Sequence, residues 1–272
     1  MEINELKAIA KELRVDIIRM LVEAGSGHPG GSLSSIDIMV VLFFHQMRHR
    51  PKEPYWPDRD RFVLSKGHCV PALYAALAKA GYFSRDELLT LRKLNSRLQG
   101  HPDRVRLPGV EAATGSLGQG LSVALGLAMA GKLSRKDYRV YCMISDGECQ
   151  AGQVWEAAMA APKFKLDNLC ALLDYNKIQL SGAVKDVMDL EPLPEKWRAF
   201  NWAVQEIDGH DYAAVLGALS DAGKTQGRPT VIVCHTTKGK GVPFMEGKWE
   251  WHGKAPNREE GERAIQAIVG ER

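Results

Sequence analysis

Val140-Tyr141-Cys142-Met143-Ile144-Ser145-Asp146-Gly147-Glu148 and Leu169-Cys170-Ala171-Leu172-Leu173-Asp174-Tyr175-Asn176-Lys177-Ile178 decide the fold. Each opens as a short unbroken apolar run, the pattern of a strand buried on both faces, and closes in polar turn residues. Between them lies a helix-like segment, from about Gln153 to Ala161, stopped by Pro162. A strand, a crossover helix and a second strand make parallel neighbours. Parallel strands put their carboxyl ends on one edge, where ligands of open α/β sheets bind. Asp146 and Asn176 are therefore expected side by side at that edge. One carboxylate, one amide oxygen and a nearby backbone carbonyl suit Mg²⁺, which completes its octahedron with water and phosphate oxygens. A single carboxylate is too little charge for an all-protein cage, so the set expects a diphosphate. The same residues also suit two ordinary βα turns, in which Asp-Gly and Asn are common.

Outward from this unit, the chain alternates strand and helix patterns. Asn4 is the expected cap of a first helix, with Leu6, Ile9, Leu13, Ile17 and Leu21 at helical spacing and a stop at Gly25. Ser26 to Gly31 reads as a turn, and a second, all-round apolar helix is expected from Ser34 or Ser35. Arg61 to Ser65 reads as a strand, with helices over Pro71–Ala80 and Arg85–Leu94, then a long loop from Asn95 to Glu111. Later come a helix over Leu121–Leu133, strands at Ala203–Ile207 and Thr230–Cys234, a helix over Tyr212–Ala222 and a short terminal helix after Asn257. The fold class is α/β, a mostly parallel sheet flanked by helices. No repeat, low-complexity linker or composition shift divides residues 1–272, so a single domain is expected.

A net charge of +3 is near balance and gives no argument for nucleic acid or an anionic membrane. The longest apolar run, Ile36 to Phe44, is far short of the roughly 20 residues that span a bilayer. Met1 to Leu6 lacks the pattern of a secretory leader, so a cytoplasmic protein is expected. The five cysteines form no C-x-x-C pair; Cys142, Cys170 and Cys234 sit in strand-like runs and read as core thiols.

Two further features carry chemistry. Gly115-Ser116-Leu117-Gly118-Gln119-Gly120 opens a helix, whose N-terminus favours anions, although tight helix packing explains the glycines equally well. His28, His68, His101 and His252 each stand beside glycine in a loop, where imidazole can donate, accept and carry protons near neutral pH. His45, His49 and His235 lack that setting and read as structural, and His210, although it follows Gly209, is read as structural with them. Lys66 and the lysines of Lys238-Gly239-Lys240-Gly241 can meet phosphate as point charges, although most lysines only solubilise a face.

In order along the chain, these motifs are Ser26-Gly27-His28-Pro29-Gly30, Arg61 to His68, Gly100-His101-Pro102-Asp103, Thr114 to Gly120, Asp146-Gly147 with Asn176, and Trp251-His252-Gly253. Their series resembles the thiamine-diphosphate-binding domain of the transketolase family over nearly the whole chain. The resemblance implies that Asp146, Asn176 and the carbonyl of Ile178 hold Mg²⁺ against the diphosphate of thiamine diphosphate. It implies that Gly147 approaches that diphosphate, that Gly115 and Leu117 line the cofactor, and that Lys66, His68, Lys238 and His252 neighbour it. His28, His68, His101 and His252 become the imidazole cluster that binds sugar hydroxyls and moves a proton. Two positions depart from the family pattern: Ser145 where glycine precedes Asp-Gly, and Ala151 where an acid joins a carboxylate cluster between active sites, with Glu156 remaining.

The resemblance also implies a transferase that passes a two-carbon ketol unit from a ketose or its phosphate to an aldose or its phosphate. Single-chain transketolases are more than twice this length. The pyrimidine-binding and C-terminal domains are therefore expected on a second subunit, in a heterotetramer of two chains each. Another thiamine-dependent ketol or acyl transferase half fits the same motifs. A non-catalytic Mg²⁺–diphosphate binding module is the reading from a different class.

Overall fold

Residues 1–270 are described by the structure, a computed structural model. Along the chain come α1 (Ile3–Ala24), α2 (Pro29–Val41), β1 (Arg61–Leu64), α3 (Val70–Ala80), α4 (Gln119–Leu133), β2 (Val140–Ser145), α5 (Gly152–Lys163) and β3 (Leu169–Tyr175). There follow a two-residue hairpin, β4 (Ile178–Gln179) with β5 (Gly182–Ala183), and then α6 (Val184–Val187), α7 (Leu193–Ala199), β6 (Ala203–Asp208), α8 (Tyr212–Lys224), β7 (Thr230–His235) and α9 (Arg258–Gly270). Five strands form one sheet in the order β1-β2-β3-β7-β6. Every pair in it is parallel, as the β2–α5–β3 unit requires.

Strand side chains alternate between two cores because successive Cβ atoms point to opposite faces. Tyr141, Met143, Cys170, Leu172, Ile232 and Cys234 join the core under α1, α2, α3 and α8. Val140, Cys142, Ile144, Leu169, Ala171, Leu173, Val231 and Val233 join the core under α4, α5 and α7. Both faces are covered, which is why the strands read as unbroken apolar runs. The register sets Ser145 beside Asp174 and Asp174 beside Cys234, so the polar strand ends lie level.

Several helix boundaries differ from the sequence expectation. Asn4 lies inside α1; Glu2 is its cap, and a capping box joins Glu2 to Glu5, whose carboxylate accepts from the Glu2 N–H at 2.8 Å. α2 starts at Pro29, not near Ser34, and all 13 of its residues are buried. Gly30 and Gly31 act here as packing surfaces rather than breakers: a Cβ on Gly31 would lie 2.5 Å from Cys69 Sγ. The helix expected over Arg85–Leu94 is only a 3₁₀ turn over Arg85–Thr90. Only Leu88 and Leu91 of that stretch reach the core, while Leu94 is 92% exposed, so no helical face has anything to pack on.

Pro162 does not end α5 but sits in its last turn. Its missing N–H frees the Ala158 carbonyl, and the Trp202 indole N–H donates to that oxygen at 2.8 Å. Ser145 closes β2 as extended backbone, outside the residues of positive φ, so the departure from glycine is accommodated.

Candidate active site

A cavity of about 310 Å³ opens where the carboxyl ends of β1, β2 and β3 meet the segment after β7. Every site residue named from the sequence lines it except His101. Its floor is built from Asp146, Asn176 and Ile178. Asp146 is buried, its Oδ1 accepts from the Gly147 N–H at 2.7 Å, and its Oδ2 accepts from the Lys177 N–H. That second bond ties the end of β2 to the segment Asn176–Ile178. Asn176 Oδ1 accepts from the Ile178 N–H at 3.1 Å, and Asn176 Nδ2 donates to Asp174 at 2.9 Å. Burial, with the charge of Asp174, pushes the Asp146 carboxyl up to about 6 against its backbone N–H bonds. The Lys238 ammonium donates to the Ile178 carbonyl at 2.9 Å and meets His252 Nδ1 at 2.9 Å.

Lys66 lines the same cavity but its charge is already balanced. The ammonium is fully buried against Asp174 and also donates to Ser35 Oγ and, at 3.2 Å, to the Gly31 carbonyl. Burial opposes its charge, yet Asp174 prevails and the amine stays above its ordinary range. Asp174 in turn accepts from Thr236 Oγ1 and, at 2.7 Å, from Ser34 Oγ. Lys66 thus cross-braces β1, α2 and β3. Asp174 lies in one of the two runs that decide the fold, yet the sequence assigns it no role, because apart from Asn176 its side-chain partners lie 62 to 140 residues away.

Glu148 closes the other run, and the sequence is equally silent about it. It is buried and accepts from Ser65 Oγ, from the Gly118 N–H at 2.7 Å and from the Ser145 N–H at 3.2 Å. One carboxylate therefore pins the glycine turn to the ends of β1 and β2. No strand precedes that turn; it ends the long loop that follows α3. Gly118 has φ 88°, and a Cβ there would stand 2.8 Å from that of Ala151. The alanine at the departing position thus packs on the turn, while Glu156 lies on α5 outside the core.

Three imidazoles crowd the other wall. His28 and His68 have ring centroids 5.2 Å apart, His28 and His252 5.6 Å, and His68 and His252 5.0 Å. Burial, then Arg92, His101 and Lys238, lowers His28 to about 4. Burial, then Lys238, lowers His252 to about 3, and burial with His252 holds His68 well below its ordinary range. All three are neutral at pH 7 and able both to accept and to donate. His101 stands apart, exposed, with its ring against Gly115. His28 Nδ1 is buried without a partner.

The family described as "Transketolase, thiamine diphosphate binding domain" matches residues 5–271. The chain is 41% identical over 268 residues to one of the subunits of the apulose-4-phosphate transketolase of Phocaeicola vulgatus, covering 98% of this chain and 95% of that one. It is 43% identical over 267 residues to the SqwG subunit of the 6-deoxy-6-sulfo-D-fructose transketolase of Clostridium sp., covering 98% and 97%. The transketolase structure from Campylobacter jejuni superposes with a TM-score of 0.93 at 36% identity, over 99% of this chain and 43% of that one. Fold, order of motifs and the lining of the cavity converge on one answer: the chain belongs to the transketolase family, as its thiamine diphosphate-binding domain.

Proposed function

We propose that this chain is the diphosphate-binding subunit of a two-chain transketolase, which moves a two-carbon ketol unit from a ketose or its phosphate to an aldose or its phosphate. The observation that carries the reading is the meeting of two groups in one cavity: oxygen atoms of Asp146, Asn176 and Ile178, and three clustered imidazoles, with Lys238 Nζ touching both the Ile178 carbonyl and His252.

The residues fit Mg²⁺ and a diphosphate. An ammonium already stands at the Ile178 carbonyl, a position that attracts a cation. Asp146 is a buried carboxylate short of positive charge. Asp146 is the one carboxylate of this set, so an Mg²⁺ held there would take its remaining oxygens from phosphate and water. Asp146, Asn176 and the Ile178 carbonyl would hold the ion, and Gly147 and Lys238 would neighbour the diphosphate. Thiamine diphosphate, when bound, supplies the nucleophilic carbon and the electron sink for cleaving the bond beside the ketone. The protein orients the sugar and moves its protons. His28, whose ring lines the cavity beside those of His68 and His252, is the group that takes the hydroxyl proton next to that bond. His68 and His252 bind the neighbouring hydroxyls, with His101 beyond them, outside the lining and against Gly115.

The second chain is part of the reading. Leu117 and Leu180 line the cavity mouth yet are 44% and 63% exposed, an apolar lip suited to a partner bearing the pyrimidine-binding domain. The relatives that match end to end are named as subunits. Two copies of each chain make the proposed assembly. A cytoplasmic location accords with cysteines that are all free.

The test is a two-carbon transfer assay with thiamine diphosphate and Mg²⁺, on this chain alone and mixed with a candidate second chain. Turnover only in the mixture is expected. Turnover by a pure, partner-free sample sinks the two-chain reading, and cofactor binding without transfer from any sugar pair leaves a binding module.

A further inference from the structure

Behind the cavity wall, Asp37 of α2 gathers two groups that grip the segment carrying Lys238. Asp37 is buried, and its carboxylate accepts from Arg14 Nη2 at 2.5 Å, from His210 Nδ1 at 2.7 Å and from the Tyr212 hydroxyl at 2.5 Å. The other ring nitrogen, His210 Nε2, lies 2.9 Å from the Thr237 N–H. An amide N–H only donates, so Nε2 is the acceptor and Nδ1 carries the proton given to Asp37. Arg14 Nε donates to the Lys240 carbonyl at 3.3 Å. Both bonds land beside Lys238, one on each side. A third, from the Gly239 N–H to the Gly30 carbonyl at 3.0 Å, ties the segment to the first turn of α2. The Lys238 side chain then reaches Ile178 and His252. Burial alone would raise the Asp37 carboxyl, but Arg14 and His210 hold it down at about 2, so the anchor stays charged.

We propose that Asp37, acting through His210 and Arg14, is a positioning residue that fixes the Thr237–Lys240 segment and so holds the Lys238 ammonium at the cavity floor. The consequence for cofactor affinity rests on the reading of Lys238 as a neighbour of the diphosphate; the anchoring itself does not.

Hydrogen exchange of the full chain, read by mass spectrometry, tests the anchoring directly. His210→Leu removes both ring contacts, whereas His210→Gln keeps an acceptor oxygen within reach of the Thr237 N–H. Exchange in peptides spanning 236–241 becomes about tenfold faster in His210→Leu. Peptides of β2 and β3 do not change, and His210→Gln recovers most of the protection. Unchanged exchange in that segment, equal acceleration across the sheet, or no recovery with Gln each overturns the proposal. Titration with thiamine diphosphate and Mg²⁺ supplies the second arm. If His210 acts through Lys238, the double variant His210→Leu/Lys238→Met binds no more weakly than Lys238→Met alone. Additive losses overturn that route. Wild-type affinity in Lys238→Met instead removes the reading of Lys238, while the exchange result still decides the anchoring.

Discussion

At the scale of single residues, environment separates groups that the sequence leaves alike. Lys66 and Lys238 both line the cavity, but Asp174 neutralises the first while the second faces a carbonyl and a neutral imidazole. Asp146 follows the last residue of β2 and Asp174 precedes the last residue of β3, yet only Asp146 is pushed up, by burial and by its like-charged neighbour. Asp146→Ala is expected to weaken Mg²⁺-dependent thiamine diphosphate binding by at least about 100-fold; calorimetry giving wild-type affinity would remove Asp146 from the metal site. His28→Ala is expected to lower kcat by about 10²-fold while changing the cofactor Kd far less, as fits a group that moves a proton. Equal losses in both constants would make His28 a packing residue. Much of this chemistry is legible in the sequence, because glycine-flanked histidines and the Asp146 and Asn176 turns are local signals. Asp37 with His210 is not: 173 residues separate the two, and nothing near either marks the other. His210 is read as structural although Gly209 precedes it, so the glycine mark alone does not separate it from the other four.

At the scale of elements, the strands are the most legible part. Burial on both faces writes itself into the sequence as an unbroken apolar run, so β2, β3 and β7 are visible with their boundaries nearly right. Helix ends are harder. Gly30 and Gly31 carry the local signature of a turn, but close approach of Cys69 and Lys238 turns the missing side chains into an advantage inside α2. Pro162 carries the signature of a stop, and a tryptophan distant in sequence supplies the bond the proline forfeits. Trp202→Phe keeps an aromatic ring but removes the indole N–H and part of the buried volume, leaving the Ala158 carbonyl unsatisfied and a gap in the second core. A loss of about 1–3 kcal/mol is expected in chemical denaturation. An unchanged midpoint would mean that α5 closes its last turn without Trp202.

At the scale of the whole molecule, the neutral imidazole wall links stability to pH. The fold lowers His28 from 6.5 to about 4, with Arg92, His101 and Lys238 facing it besides its burial. Below pH 6.5 the unfolded chain binds a proton that the folded chain refuses. The stability held above that pH is therefore lost as pH falls toward 4. Urea midpoints measured from about pH 7 to about pH 4.5 should decline less steeply in His28→Gln than in the parent chain. Parallel declines would show that His28 does not contribute to acid sensitivity.

The five cysteines give the molecule a property of another kind. All are free and all are buried. Cys142, Cys170 and Cys234 lie on three adjacent strands, and Cys149 lies under the turn after β2. Cys69 packs against Gly31 at the back of the cavity wall. A thiol reagent in solution therefore reacts only when a molecule opens, and the order of labelling is a chronometer. Modification of Cys69 ahead of the strand thiols would time the breathing of the pocket, and simultaneous modification of all five would time the collapse of the sheet.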